Sequence, residues 1–188
     1  ADHLLEIGTG WGGFSLYAAK NYGCRITSTT ISQEQFIFSE NLIKKNGLQD
    51  QVTILKKDFR ELEGQFDKLV SIEMIEAIGH RLYKTFFQKC GQLLKPEGLL
   101  AIQAITITDN LFHESKDFID FIKQYIFPGS CIPSISALCS AASSSDIKLF
   151  HLEDITPHYA RTLKEWRNNF LQNKSRVKNL GFTNPFIR

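Results

Sequence analysis

A glycine-rich turn directly after a short apolar run is the feature that most constrains the fold of this chain. Residues Leu4–Ile7 have the length of a buried strand, and Phe14–Asn21 has a helical pattern. Between them the sequence reads EIGTGWGG. Because glycine accepts positive φ and has no Cβ, a strand, a glycine turn and a helix N-terminus form a crevice in which a ligand contacts bare backbone.

The glycine spacing and the preceding acid distinguish two classes of ligand for this turn. Dinucleotide sites use G-x-G-x-x-G around a pyrophosphate, whereas here the third glycine comes one residue early, at Gly12 beside Gly13. Glu6 stands just before the first glycine, where it repels a pyrophosphate. An acid followed by G-x-G suits S-adenosylmethionine (AdoMet), because the glycines approach its amino-acid end and the carboxylate orders its ammonium group. A structural turn without a ligand is the alternative.

Composition argues against several classes of partner and site. A net charge of +2 with no run of Lys or Arg gives no basis for nucleic-acid binding. The four cysteines have neither CxxC nor zinc-finger spacing, so we expect free thiols in the cytoplasm and no metal site. No apolar stretch reaches the length of a membrane span, so we expect any membrane contact to be peripheral.

The order of elements predicts one α/β domain over residues 1–188, with a mostly parallel central sheet and helices on both faces. The predicted strands are Leu4–Ile7, Arg25–Thr30, Val52–Leu55, 68–74 and Leu99–Ile107. Between them lie the predicted helices, which are Phe14–Asn21, Ser32–Lys45 and Tyr83–Leu94. The chain begins almost on a core strand and ends without an obvious terminal element, so we expect it to be incomplete at both ends.

The pattern changes after the fifth predicted strand. Leu111–Phe127 carries apolar residues at helical spacing, which predicts a helical substrate-binding insert over residues 110–145. Beyond the insert, Lys148–Ile155 predicts a further strand and Thr162–Lys174 a helix.

Several stretches of the chain occur in the same order in one group of proteins. They are LLEIGTGWGGFSLYAA, TSTTISQEQ, KKDFREL, QFDKLVSIEMIEAIGH, LLKPEGLLAIQAI, YIFPGSCIPS and HYARTLKEWRNNF. On these motifs the chain resembles the cyclopropane-fatty-acyl-phospholipid synthases and, more distantly, the mycolic acid cyclopropane synthases. The resemblance covers nearly the whole chain. It implies the Rossmann-like class I fold of AdoMet-dependent methyltransferases.

The resemblance and the residue types together give a set of cofactor-binding candidates. The methionine part of AdoMet is expected to lie among Glu6, Gly8, Thr9, Gly10, Trp11 and Gly12. The second strand ends without the usual ribose-binding acid, and the resemblance implies Thr30 and Gln35 in its place. Ser32 is either a further ligand or only a helix N-cap. After the third strand, Asp58 can accept from the adenine amine and Phe59 can lie on the adenine ring.

Glu76 is the predicted catalytic residue, since it follows the fourth strand at the carboxyl end of the sheet, where chemistry collects in such folds. In the family resembled, the matching glutamate holds a bicarbonate ion that is the proposed base. Ile105 and Gln103 match further positions around that ion, although bacterial members commonly carry His where this chain has Gln103. His80 is a second-line candidate. Glu73 is expected to face outward on strand alternation, although a role for it stays open.

The function that the resemblance implies is transfer of a methylene group from AdoMet to the cis double bond of an unsaturated phospholipid acyl chain, forming a cyclopropane ring. The expected partners are that acyl chain and, peripherally, a membrane surface. One alternative is a methyltransferase on another lipid or small molecule that does not close a ring. The other is a non-catalytic AdoMet- or lipid-binding remnant. The sequence leaves the lipid headgroup and the oligomeric state open.

Overall fold

The computed structural model describes residues 2–187, in which five strands form one parallel sheet. The strands are β1 (His3–Ile7), β2 (Arg25–Thr30), β3 (Val52–Lys56), β4 (Phe66–Ile72) and β5 (Leu94–Gln103). Their order is β3-β2-β1-β4-β5, and each neighbouring pair is parallel. The order reverses between β1 and β4, so a crevice for a ligand is expected at the carboxyl ends of these two strands. The predicted α/β fold with a mostly parallel sheet is confirmed.

The described helices divide between two compact units of the chain, one ending at Lys148 and the other beginning at Leu149. The first unit holds the sheet and α1 (Gly13–Tyr22), α2 (Gln33–Lys45), α3 (Tyr83–Leu93), α4 (Asp109–Ser115), α5 (Phe121–Tyr125) and α6 (Ile135–Ala142). The second holds α7 (Thr156–Gln172), α8 (Lys174–Asn179) and α9 (Asn184–Ile187). Within residues 2–187, none of these helices has the length and apolar character needed to cross a bilayer. Because each unit is compact individually, the single domain over residues 1–188 stays a prediction.

Two apolar clusters cover the two faces of the sheet in the first unit. Leu5 of β1 belongs to the larger cluster, together with Phe86 of α3. Its neighbour Leu4 packs against the smaller cluster, which includes Ile26 of β2 and Ile43 of α2. Since successive residues of a strand point to opposite faces, this division places helices on both sides of the sheet. The predicted two-sided packing is therefore confirmed.

The segment Leu111–Phe127, predicted to be helical, is helical in part, because a break separates two short helices. α4 ends at Ser115 and α5 begins at Phe121. The side chain of Asp120 caps α5 by accepting a 2.8 Å hydrogen bond from the Lys123 N–H. The Lys123 ammonium donates to the carbonyl oxygens of Ser115 and Phe118, so it satisfies backbone groups that the break leaves free. Helical spacing of the apolar residues could not reveal this polar break.

Two strand predictions are also corrected. Lys148–Ile155 is irregular, because alternation of apolar and polar residues forms a strand only when a neighbour accepts its backbone hydrogen bonds. In residues 2–187 this segment has no such neighbour. β5 spans Leu94–Gln103 rather than Leu99–Ile107, and Leu99 is 49% exposed rather than buried. In the described sheet β5 pairs only with β4, so it lies at the edge.

Candidate active site

The glycine turn joins the carboxyl end of β1 to the first residue of α1. Gly8, Gly10 and Gly12 have φ values of 99°, 51° and 77°, in the left-handed region that favours glycine. The N–H groups of Gly8 and Thr9 donate to the carbonyl oxygen of Thr29 at 3.0 and 2.9 Å. These bonds fix the turn against the end of β2, next to the crevice that the topology predicts.

Only part of the turn is open to a ligand. A Cβ on Gly8 would lie 2.9 Å from Cγ of Met74, and a Cβ on Gly12 would lie 3.1 Å from Oγ of Ser39. At Gly10, no described atom lies within 4 Å of such a Cβ. Protein packing therefore requires glycine at Gly8 and Gly12, whereas Gly10 faces space in which a ligand can approach the backbone.

Behind the turn, Glu6 belongs to a buried cluster of hydroxyl groups. Its Oε2 atom accepts hydrogen bonds from Oγ of Ser15 at 2.5 Å and from Oγ of Ser28 at 2.6 Å. Thr9 extends the cluster, with its Oγ1 atom 2.6 Å from Oγ of Ser28. Burial raises the pKa of Glu6 to about 7, and the two serine hydrogen bonds oppose this rise. Neither serine was predicted from the sequence, because Ser28 reaches Glu6 through the pairing of β2 with β1, and Ser15 reaches it from the first turns of α1.

The candidates at the end of β2 lie together and bond to one another. Oγ1 of Thr30 donates to Oε1 of Gln35 at 2.7 Å. Oγ of Ser32 accepts from the Gln35 N–H at 3.2 Å, which confirms the predicted N-cap of α2. The same hydroxyl donates to Glu34 at 3.0 Å, so Ser32 already has two partners. Oγ1 of Thr30 also has a second partner, because it accepts from the Ser32 N–H at 3.2 Å, so ribose binding by Thr30, Gln35 or Ser32 stays a prediction.

The remaining cofactor candidates are held by protein contacts. Both carboxylate oxygens of Asp58 bond the Arg60 side chain, at 2.9 and 2.8 Å, and these hydrogen bonds lower the pKa of Asp58. Phe59 is buried and its ring meets Phe86 edge to face, with centroids 5.7 Å apart. Trp11 is 59% exposed beside the turn. The adenine contacts of Asp58 and Phe59 and the methionine contact of Trp11 stay predictions.

Glu76 lies in a short 3-10 turn (Ile75–Ile78) after β4, and two segments distant in sequence hold it. Its Oε1 atom accepts a 2.6 Å hydrogen bond from the Ile105 N–H, and its own carbonyl oxygen accepts one of 2.8 Å from the Cys131 N–H. Its Oε2 atom is buried and has no hydrogen-bond partner within residues 2–187. Burial raises the pKa of Glu76, as does the nearby charge of Glu73. The structure thus brings the predicted pair Glu76 and Ile105 into direct contact.

Gln103 belongs to the same site but reaches it through Glu73. Nε2 of Gln103 donates a 2.8 Å hydrogen bond to Oε1 of Glu73. β4 ends at Ile72, so Glu73 lies beyond the strand, and it has a left-handed φ of 50°. Strand alternation therefore no longer applies to Glu73, and no sequence signal marked this change of conformation.

His80 lies outside this group. Its Nε2 atom is 3.6 Å from a carboxylate oxygen of Asp117, beside a cavity of about 350 Å³. Phe118 and Ile119 line the cavity, as does Cys131, whose N–H bonds the carbonyl oxygen of Glu76. Across residues 2–187, no three His, Cys, Asp or Glu side chains are grouped so that they could hold a metal ion.

The strand order, the acid and glycine turn after β1 and the carboxylate after β4 define the class I AdoMet-dependent methyltransferase fold. A family model described as mycolic acid cyclopropane synthetase matches residues 1–188. The chain belongs to this family. The recognition made from the sequence motifs is thereby confirmed.

Relatives within the family carry several different lipid names. The chain is 37% identical over 188 residues to a tuberculostearic acid methyltransferase of Mycobacterium tuberculosis, and it covers 44% of that protein. It is 32% identical to a sphingolipid C9-methyltransferase of Candida albicans, with 95% of the chain and 36% of the relative covered. It is 34% identical to a cyclopropane-fatty-acyl-phospholipid synthase of Escherichia coli, with 89% and 42% covered. The chain thus spans less than half the length of these relatives.

Solved structures share the fold over almost the whole chain. The crystal structure of a mycolic acid cyclopropane synthase in complex with SAH and CTAB has a TM-score of 0.85 and 28% identity, and the match covers 96% of this chain and 66% of that one. A cyclopropane synthase from Mycobacterium tuberculosis has a TM-score of 0.84 at 24% identity, with the same two shares covered. The second likeness supports the fold alone.

Proposed function

We propose that the protein transfers a methylene group from AdoMet to the cis double bond of an unsaturated phospholipid acyl chain and closes a cyclopropane ring. The observation that carries this proposal is the carboxyl group of Glu76. One of its oxygens is fixed by the Ile105 N–H, and the other is buried and has no hydrogen-bond partner among the described residues. A buried acceptor that lacks a donor is costly unless a proton or a ligand satisfies it.

The glycine turn supports AdoMet as the methyl donor. The turn is open at Gly10, and the buried Glu6 lies directly behind it. Thr30 and Gln35, at the end of the adjacent strand, offer hydroxyl and amide groups in place of the usual ribose-binding acid. When bound, AdoMet supplies an electrophilic methyl group.

Glu76 has the properties that ring closure requires. An alkene that gains a methyl group becomes a carbocation, and loss of a proton from the new methyl closes the ring. Burial raises the pKa of Glu76, which makes its carboxylate a stronger proton acceptor than an exposed one, and while it is ionised its negative charge stabilises a neighbouring cation. Its unpartnered oxygen also fits the hydroxyl of a bicarbonate ion, so the residues present are compatible with the anion that the resemblance implies.

The cavity beside His80 supports a lipid substrate. Ile78, Phe118 and Ile119 line it, together with charged side chains, which are Arg81, Lys116, Asp117 and Lys123. Cys131 lies on the same wall and bonds the Glu76 backbone, so the cavity adjoins the proposed base. The exposed Phe121 of α5 offers an apolar contact for a bilayer surface, which supports an enzyme that acts peripherally on membranes.

A second candidate is methylation of the alkene without ring closure. The relatives named as tuberculostearic acid and sphingolipid C9-methyltransferases favour it, at 37% and 32% identity. Both candidates share the first step and differ in which proton leaves the cation.

Product analysis by lipid NMR tests both. The complete protein is incubated with AdoMet and mixed unsaturated phospholipids in vesicles. Cyclopropane methylene resonances with loss of the alkene support the first candidate, and a branched methyl or methylene group supports the second. Unchanged lipid would refute both.

A further inference from the structure

Glu73 and Gln103 are joined by two hydrogen bonds at the end of the β4–β5 ladder. The Glu73 N–H donates to the Gln103 carbonyl oxygen at 2.8 Å, and the Gln103 side-chain Nε2 donates to Oε1 of Glu73 at 2.8 Å. Ile72 opposite Gln103 is the last regular pair of the two strands. These two hydrogen bonds therefore continue the sheet by one residue beyond the last regular pair.

The conformation of Glu73 is unusual for its residue type. Its φ of 50° lies in the left-handed region, which non-glycine residues seldom adopt. Such a conformation persists only when its surroundings fix it, and it concentrates at functional sites. Here it ends β4 and turns the chain into the 3-10 segment that carries Glu76.

Two contacts in succession connect this turn to the proposed catalytic carboxyl group. The Gln103 side chain donates to Glu73, and two residues after Gln103 the Ile105 N–H donates to Glu76. The Glu73–Gln103 contact fixes the end of β5. Ile105, which donates to Glu76, lies two residues beyond that end. The position of the Glu76 carboxyl thus depends on the Glu73–Gln103 pair.

We propose that Glu73 is a positioning residue of the methyl-transfer site, which orients Gln103 and the Ile105 N–H and places a second negative charge beside Glu76. This inference rests on the function proposed above for Glu76. In this role Glu73 acts through Gln103 and Glu76 and does not itself contact the substrate.

The charge of Glu73 gives the proposal a signature that simple loss of packing would not produce. The groups around Glu76 are Glu73 from the end of β4, Tyr83 from α3, Cys131 before α6 and the Ile105 N–H after β5. Among these, the Glu73 carboxylate adds to the rise in the pKa of Glu76 that burial causes. Removing that charge lowers the pKa of Glu76, so the acidic limb of the pH–rate profile moves to lower pH.

The test compares Glu73→Gln, Glu73→Ala and Glu73→Gly in the complete protein, with the exposed Glu63→Gln as a control for loss of one acid. We expect kcat to fall about tenfold or more in Glu73→Ala and Glu73→Gly, a typical effect of groups that orient a reactive ligand. Glu73→Gln should lose less, because its amide oxygen still accepts from Gln103 while the charge is removed. AdoMet affinity should stay within about twofold, because the glycine turn is unchanged. The acidic limb of the pH–rate profile should move to lower pH only where Glu73 is replaced.

Glu73→Gly separates the effect of losing the carboxylate from the effect of backbone strain, because glycine adopts the positive φ that alanine resists. Wild-type kcat in Glu73→Gly would overturn the proposal, as would a pH–rate profile that keeps its midpoint in Glu73→Gln. Adding Gln103→Ala to Glu73→Ala should cost no more than either change alone, because both remove one contact. Glu76→Gln is measured in parallel: if it keeps full activity, the proposed function fails independently of Glu73.

Discussion

The Ile105 N–H donates a 2.6 Å hydrogen bond to Oε1 of Glu76, across 29 positions of sequence. The contact joins the segment after β5 to the segment after β4, at the carboxyl ends of two adjacent parallel strands. It fixes one oxygen of the carboxyl and leaves the other buried and without a partner among the described residues. This asymmetry is what a group that holds a proton or an anion requires.

Glu76→Gln in the complete protein tests this role, because it removes the charge and retains the shape. We expect kcat to fall by about 10²-fold or more, the range in which positioned acid–base groups contribute. AdoMet affinity, measured by calorimetry, should change little, because Glu76 is not part of the glycine turn. Equal kcat in the variant and the parent would rule the role out.

Gly10→Val tests the open side of the turn. A valine there places two methyl groups where the cofactor is proposed to approach, so calorimetry should detect no AdoMet binding. Gly23→Val is a matched control, since Gly23 also has a positive φ, of 63°, and open space around a Cβ, but caps the other end of α1. Both variants should lose stability from the strained backbone, and only Gly10→Val should lose AdoMet. Equal losses of affinity in the two variants would mean that strain, and not occupancy of the site, is responsible.

The sequence predicted the elements whose pattern is local and repeated. The β1 strand, the glycine turn and the N-cap at Ser32 all follow from nearest neighbours along the chain, and the structure reproduces them. The resemblance placed Glu76 and Ile105 around one bicarbonate ion, and their direct hydrogen bond was found only in the structure. The partners of Glu6 and the turn at Glu73 were not predictable, because both depend on strand pairing and on a backbone conformation that no residue type announces.

The edge position of β5 predicts how residues 1–188 behave when they are produced alone. The exposed backbone of an edge strand pairs readily with another chain, and Leu99 adds apolar surface. We expect self-association in size-exclusion chromatography and reduced association in Leu99→Lys. Leu163→Lys is the control, since Leu163 is 50% exposed but lies on α7. A monomeric parent would contradict a role for this edge, as would an equal reduction of self-association in both variants.

The buried carboxyl of Glu6 predicts a dependence of stability on pH. Its pKa is raised by burial to about 7 in the folded chain, against 4.5 without that environment. Between these values the unfolded chain releases the proton and the folded chain keeps it. The free energy of unfolding therefore falls as pH rises through this window and levels off above pH 7. The difference in pKa corresponds to about 3 kcal/mol.

Glu6→Gln should abolish this dependence, because the amide oxygen still accepts from Ser15 or Ser28 and carries no charge. Urea unfolding of both proteins between about pH 5 and pH 8 measures the difference, and other titrating groups cancel because they are common to both chains. As the pH rises to the alkaline end of this range, the free energy of unfolding of the variant should increase relative to that of the parent by most of the expected value of about 3 kcal/mol. Glu63→Gln, an exposed acid, should follow the parent throughout. Parallel curves for Glu6→Gln and the parent would show that Glu6 is ionised in the folded state across the whole range, in which case the serine hydroxyls outweigh the cost of burial.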